Sequence, residues 1–287
     1  MAWFYLALGS AVIWGISAVL QKDASHGEHA IQFAVSSSLL AAGLATILLP
    51  FTHLSDISSF AWVLLCISGL VGGIAYYMGA KGFKYLSLSE ASPLYNLGTV
   101  IAIVMATIFL GEKMTLPQIA GVSLIIFGTY FLELKGNDLL SPFVKLFKSE
   151  KIHYVLIATF LSSGLAVFSK YILGFVDPVS YMFVHIILVA CFLLVVVFTR
   201  HKGFSDIKKG FIVHRWMILA IAVLTVLGAL TDLFSLKLGE AALFVPIMRT
   251  WTLIAVLLGG AYLKEGHMRN RIIATVIMLM GVFIIYL

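Results

Sequence analysis

Apolar residues in this chain fall in long runs separated by short polar stretches. Ten such runs lie at roughly 2–20, 30–50, 61–80, 91–110, 116–134, 152–173, 178–199, 215–236, 241–261 and 271–287. A helix needs about 20 mainly apolar residues to cross the hydrocarbon core of a bilayer. Lipid offers no partner to an unpaired backbone N–H or C=O, so runs of this length are predicted to be helices. They do not alternate apolar with polar residues, as the strands of a membrane β-barrel would. The expected fold is an all-α integral membrane protein with ten transmembrane helices.

The runs also repeat. Ser89–Thr115 opens with a Pro and closes with a Glu, and Ala242–Met268 has the same layout. A single shift of 153 residues pairs Lys84 with Lys237, Pro93 with Pro246, Glu112 with Glu265 and Gly128 with Gly281. Near the start of each half, Ile13–Lys22 matches a stretch within Phe160–Lys170, which places Lys22 over Lys170. This predicts a first five-helix repeat at 1–134, a cytoplasmic linker at 135–151 and a second five-helix repeat at 152–287. Five is odd, so the second repeat enters from the opposite side. Two inverted five-helix repeats are an arrangement typical of transporters, with a site near the bilayer midplane between them. The match also marks the first run as a retained span. It lacks the basic start of a signal peptide, since the first Lys is Lys22. In the linker, Leu139, Leu140, Phe143, Leu146 and Phe147 fall at helical spacing between lysines. Either an interfacial helix or a plain basic loop fits that pattern.

Composition agrees with the pattern. Hydrophobic residues make up 61% of the chain and charged ones 11%, with a mean hydropathy of +1.07. A soluble domain carries about 25% charge. The net charge of +6 has its ordinary explanation in basic cytoplasmic loops. No basic face with interleaved aromatics is present, so nucleic acid is not an expected partner. The odd-numbered loops hold 15 of the 19 Lys and Arg. That bias predicts cytoplasmic odd loops and both termini extracytoplasmic, in a multi-pass protein of the plasma membrane. Cys66 and Cys191 each lie inside an apolar run without a Cys or His at metal spacing, so neither a disulfide framework nor a zinc site is expected. There is no HExxH, P-loop or dinucleotide fingerprint, and His26 and His29 about Glu28 lack zinc-protease spacing. No enzyme activity and no cofactor are expected.

A few polar residues interrupt the runs. Arg249 stands about eight residues into the ninth, too deep to reach the interface easily. A charge at that depth costs on the order of 3 kcal/mol or more. It is either a counter-charge for an anionic substrate group or half of an internal ion pair. Asp232, near the end of the eighth run, is the natural partner for such a pair; alternatively it takes up a coupling proton or lies at the membrane surface. Asn96 is the repeat mate of Arg249, and its amide either meets a ligand or ties two helices together. His185 titrates near neutral pH when unperturbed and either serves the site or bonds a neighbour. Trp14, Tyr76, Tyr77, Tyr95 and Trp251 are candidates for an apolar lining, or for ordinary packing and interface anchoring. Pro93 and Pro246 read best as helix-start prolines, with a local helix break as the functional alternative. Glu112 and Glu265 read as interface anchors or caps. Gly72-Gly73, Gly121 and Gly128 read as sites of close helix packing.

Trp14-Gly15, the Lys84/Lys237 and Pro93/Pro246 pairs and the LGE of Leu110–Glu112 together resemble the EamA-type family of the drug/metabolite transporter superfamily. The resemblance covers essentially the whole chain. It implies a ten-helix carrier of small metabolites that works by alternating access around a central cavity. Many relatives carry a basic residue early in the second span of each half, where this chain has Ser37 and His185. The expected function is secondary transport of a small polar metabolite, anionic or zwitterionic, such as an amino acid, by a monomer or weak dimer. Substrate-binding candidates are Arg249, Asn96, Asp232, His185, Trp14, Tyr77 and Trp251. A non-transporting membrane protein, either an intramembrane enzyme or an assembly subunit, is the alternative. An enzyme would need clustered nucleophile, base or metal ligands at one depth, and a channel a ring of like charges.

Overall fold

The computed structural model describes residues 2–24, 30–86, 88–133, 151–213, 215–263 and 268–286. His26, Glu28, His29, Glu265 and linker residues 135–150 lie outside the described residues, as does the side chain of Pro93. Helices are α1 (Ala2–Ala24), α2 (Ala30–Ala45), α3 (Ser59–Tyr85), α4 (Leu88–Met105), α5 (Leu116–Glu133), α6 (Ile152–Ile172), α7 (Pro178–Arg200), α8 (Phe204–Val213), α9 (Arg215–Leu238), α10 (Ala241–Arg249), α11 (Trp251–Leu263) and α12 (Met268–Tyr286). No strand occurs among the described residues. Six of the described helical segments are long and apolar enough to cross a membrane, and four more are shorter and apolar. Large apolar side chains such as Phe109, Leu116, Trp216 and Phe283 are exposed on the outer faces, as lipid contact requires. Cys66 and Cys191 are exposed as well.

Local chemistry sets several helix ends. Ser58 caps α3 by accepting the Ala61 N–H. Asp177 caps α7 by accepting from Val179 and Ser180, with Pro178 in the first turn, where its missing N–H costs nothing. α4 runs on into a single π-helical turn, Ala106–Leu110, and stops at Gly111 in the left-handed conformation (φ 68°).

Two lysines end helices in matching fashion. Lys22 is buried and donates to the Phe83 and Leu86 carbonyls at the end of α3, at 2.7 and 2.9 Å. Lys170 donates to the Leu236 and Gly239 carbonyls at the end of α9, both at 2.6 Å. The two acceptor pairs are related by the 153-residue shift of the sequence. A cation at a helix C-terminus meets both orphan carbonyls and the negative end of the dipole. Lys22 is therefore a framework residue rather than a loop charge.

The packing has the same regularity. α1 packs along α9, and α6 along α3; α11 packs against α1, and α4 against α6; α2 lies on α7, and α5 on α12. Each contact has a counterpart when α1–α5 are matched in order with α6, α7, α9, α10–α11 and α12. At the α5–α12 seam, a Cβ on Gly121 would stand 2.7 Å from the Gly281 carbonyl oxygen. Only glycine lets these backbones meet.

Two elements depart from the sequence pattern. The ninth apolar run is not one helix: it divides at Thr250 into α10 and α11. Pro246 lies inside α10 rather than at its start. The Thr250 hydroxyl donates to the Ile247 carbonyl and that of Thr252 to the Arg249 carbonyl, at 2.7 and 3.0 Å. These side chains take up carbonyls at the break. The corresponding stretch of α4 is unbroken. In addition, the loop after α7 contains the ten-residue amphipathic helix α8.

Candidate functional site

A cavity of about 340 Å³ lies within the bundle, lined from α1, α2, α3, α4, α6, α7, α9, α10 and α11. Its wall is largely apolar, with Asp232, Arg249, His185, Gln21 and several hydroxyl groups set into it.

Arg249 is 4% exposed and lines this cavity at the end of α10, one residue before the break. Its Nη2 donates to Ser162 Oγ at 3.1 Å and to Ser163 Oγ at 3.0 Å, both on α6. Its guanidinium lies 5.9 Å from the centre of the Tyr95 ring, a cation–π distance. Its buried Nε has no hydrogen-bond partner among the described residues. The guanidinium reaches the serines past Gly98 of α4. A Cβ there would stand 2.8 Å from Nη2 and 3.0 Å from Thr159 Cγ2.

Asp232 lines the same cavity from α9. Its Oδ2 accepts the Trp14 indole N–H at 2.8 Å, and its Oδ1 accepts a short bond from the Ser10 hydroxyl. Both donors come from α1. Asp232 and Arg249 therefore do not form the ion pair that their positions suggested. Each group is held by neutral donors or acceptors, and the two share one cavity without a hydrogen bond between them.

His185 lines the cavity too, with Nδ1 3.1 Å from Ser68 Oγ on α3. It packs where α3 has Gly72, since a Cβ there would stand 2.6 Å from the imidazole Cε1. The aromatic lining includes Trp14, Tyr76, Tyr95, Tyr181 and Trp251, with Phe83 and Phe244. Tyr95 and Trp251 meet edge to face at 5.5 Å.

Two sequence candidates lie elsewhere. Tyr77 is not part of the lining. Its hydroxyl is 3.1 Å from His201 Nε2, and its ring is 4.4 Å from Lys81 Nζ. Neighbouring residues on a helix point about 100° apart, so Tyr76 faces the cavity and Tyr77 does not. Asn96 is buried outside the lining and donates to Thr252 Oγ1 at 3.3 Å, linking α4 to α11. Ser10, Ser162 and Ser163, which hold the two charges, and Gly98, which makes room for one, were not distinguishable in the sequence from ordinary small residues of a span. Glu112 lies outside the cavity and accepts the Ala241 and Ala242 N–H groups at 2.9 and 2.7 Å. It thus caps α10, the helix that carries Arg249.

Comparison with known proteins agrees with this architecture. A solved crystal structure superposes with a TM-score of 0.69 over 96% of both chains at 13% identity, a likeness of fold. An uncharacterized transporter, YxxF of Bacillus subtilis (strain 168), is 29% identical over 130 residues, 42% of each chain. An uncharacterized transporter encoded in the cobO 3′ region of a Sinorhizobium species is 31% identical over 78 residues. That match covers 27% of this chain and 55% of the relative. The matches thus span about half the length of these two curated relatives. The model of the EamA-like transporter family matches residues 1–134 and again 151–287. The chain is a multi-pass membrane protein and belongs to the EamA-like transporter family.

Proposed function

We propose that this protein is a secondary transporter of a small zwitterionic metabolite of the amino-acid type, carried through the central cavity by alternating access. The observation that carries the reading is the presence of Arg249 and Asp232 in one cavity without a bond between them. Unpaired opposite charges in a low-dielectric site are costly, and a ligand with a carboxylate and an ammonium group offsets both. The unpartnered Nε of Arg249 suits a carboxylate oxygen. Asp232 has accepting capacity left for an ammonium, and Trp14 and Trp251 enclose the apolar part. His185 orients the ligand. Asn96 acts one step back, through the α4–α11 contact.

In this account the ten apolar segments cross the plasma membrane as two inverted five-helix repeats, with both termini extracytoplasmic. The break at Thr250 gives α10 the freedom to tilt with Arg249 at its end, while the Glu112 cap holds the other end of that helix and Lys170 holds the end of α9 just before it. The sequence has no ATP-binding motif, so the driving force is a gradient, with Asp232 as the group that would carry a coupling proton. The chain works as a monomer or weak dimer. A thermal-shift screen of purified protein against amino acids, nucleosides and sugar phosphates tests the substrate class. Amino acids should raise the unfolding temperature with concentration. A response to sugar phosphates alone would replace the zwitterion reading with an anion-only one.

A further inference from the structure

A second cavity, of about 310 Å³, lies apart from the first and shares no residue with it. It is lined by Gln32, Arg200, His201, Lys202, Asp206 and Lys209, where the end of α7 turns through Gly203 into α8. Its floor is built rather than incidental. Asp206 is 3% exposed, and its carboxylate accepts the Lys202 backbone N–H and Gln32 Nε2, each at 2.8 Å. The acid therefore spends both oxygens on fixing the turn. Ser36 donates to the Ile207 carbonyl at 3.1 Å. Gly210 lies so close to α2 that a Cβ would stand 2.5 Å from the Gln32 carbonyl oxygen. α8 is thereby pinned to α2, with Arg200, Lys202 and Lys209 around the opening.

Two features give the chemistry of an occupant. Three basic residues and one engaged carboxylate line the opening, so it favours an anion. Gln32 is 1% exposed, its Nε2 is directed to Asp206, and its Oε1 has no hydrogen-bond partner among the described residues. That oxygen calls for a hydroxyl or ammonium donor beside the anion. The position of the cavity gives the source. α8 is amphipathic, and Phe204, Ile212 and the adjacent Trp216 are 77%, 65% and 71% exposed. The Arg215 guanidinium lies 5.4 Å over the Trp216 ring. An apolar face beside basic residues and a Trp is the pattern of a helix lying at the headgroup level of a bilayer.

We propose that the α7–α8 turn is a phosphate site that holds the headgroup of an anionic, hydroxyl-bearing phospholipid such as phosphatidylglycerol. Arg200, Lys202 and Lys209 take the phosphodiester, and Gln32 accepts from the headgroup hydroxyl. The proposal is independent of what the central cavity carries.

The test is thermal unfolding of the full-length protein in detergent, titrated with short-chain phosphatidylglycerol, short-chain phosphatidylcholine or inorganic phosphate. Phosphatidylglycerol should raise the unfolding temperature to saturation, while the other two do little. In the Arg200→Gln, Lys202→Gln, Lys209→Gln triple variant its apparent affinity should fall about a hundredfold. The Arg249→Gln variant should keep the full shift. In the unaltered protein, added NaCl should weaken the shift, a readout that needs no variant to fold. Equal shifts with phosphatidylcholine or with inorganic phosphate would overturn the lipid assignment. A shift that survives in the triple variant, vanishes with Arg249→Gln or ignores salt would overturn the site.

Discussion

Trp14 donates its indole N–H to Oδ2 of Asp232 at 2.8 Å and so ties α1 to α9 at the wall of the central cavity. With Ser10 on the other oxygen, the carboxylate is fixed in direction by two neutral donors from one helix. A carboxylate held this way is fixed in place by neutral partners, whereas an ion pair with Arg249 would consume it. Asp232→Asn keeps the shape but removes the charge, and its apparent affinity for a zwitterion should fall tenfold or more, equivalent to about 1.4 kcal/mol. Trp14→Phe should cost less. A double-mutant cycle on transport into proteoliposomes should then show non-additive effects, because the indole acts through the carboxylate. Strict additivity would mean that the Trp14–Asp232 bond plays no part in binding.

Arg249 offers a planar fork, not merely a positive charge. Its Nη2 is occupied by Ser162 and Ser163, while its buried Nε has no hydrogen-bond partner among the described residues. Arg249→Lys keeps the charge and loses the fork, so affinity should drop by an order of magnitude or more. The variant should remain folded by size-exclusion chromatography. Lysine supporting wild-type flux would show that geometry at this position is unimportant.

Gly98 tests the same group from the opposite side. In Gly98→Ala the new methyl would press on Nη2, Ser163 and Thr159. Overpacking of this kind costs about 1–3 kcal/mol, and it is predicted to push the guanidinium, the far end of a long side chain, off the two serines. Substrate affinity should fall more than stability does, when flux and thermal unfolding are measured on one preparation.

Glu112 is predicted to affect stability and gating without touching substrate. Its two oxygens cap the first N–H groups of α10, a charge-assisted bond near a helix N-terminus. Glu112→Gln should lower the unfolding free energy by about 1 kcal/mol and change the maximal rate more than the half-saturation concentration. A variant with wild-type stability and rate would remove the cap from the account.

Much of this site is legible in the sequence because charge inside an apolar run is conspicuous. Arg249 and Asp232 stand out on hydropathy alone, and the helical class of the fold follows from run length and lipid chemistry. The partners do not stand out. Ser10, Ser162 and Ser163 are small residues like many others in spans, and their roles depend on α1 lying beside α9 and α6 beside α10, which are non-local facts. Tyr76 and Tyr77 cannot be ranked from periodicity without knowing which face of α3 is inward. The exchange of one long ninth helix for α10 and α11 rests on hydroxyl-to-carbonyl bonds at Thr250 and Thr252, and β-branched hydroxyl residues are too common in spans to announce a break. α8 is only ten residues long, and its alternation of Phe204, Phe211 and Ile212 with Lys208 and Lys209 is hidden in a basic loop.

The central claim is that Arg249 and Asp232 read opposite ends of one substrate. The direct test is flux competition in proteoliposomes, using an amino acid that passes the thermal-shift screen as tracer. Competitors are its N-acetyl derivative, which lacks the cation, and its amide, which lacks the anion. Against the unaltered protein both should compete at least tenfold more weakly than the parent. Against Asp232→Asn the N-acetyl derivative should lose its disadvantage, and against Arg249→Gln the amide should lose its own. Equal competition by all three compounds in the unaltered protein, or the same ranking in both variants, would contradict the account.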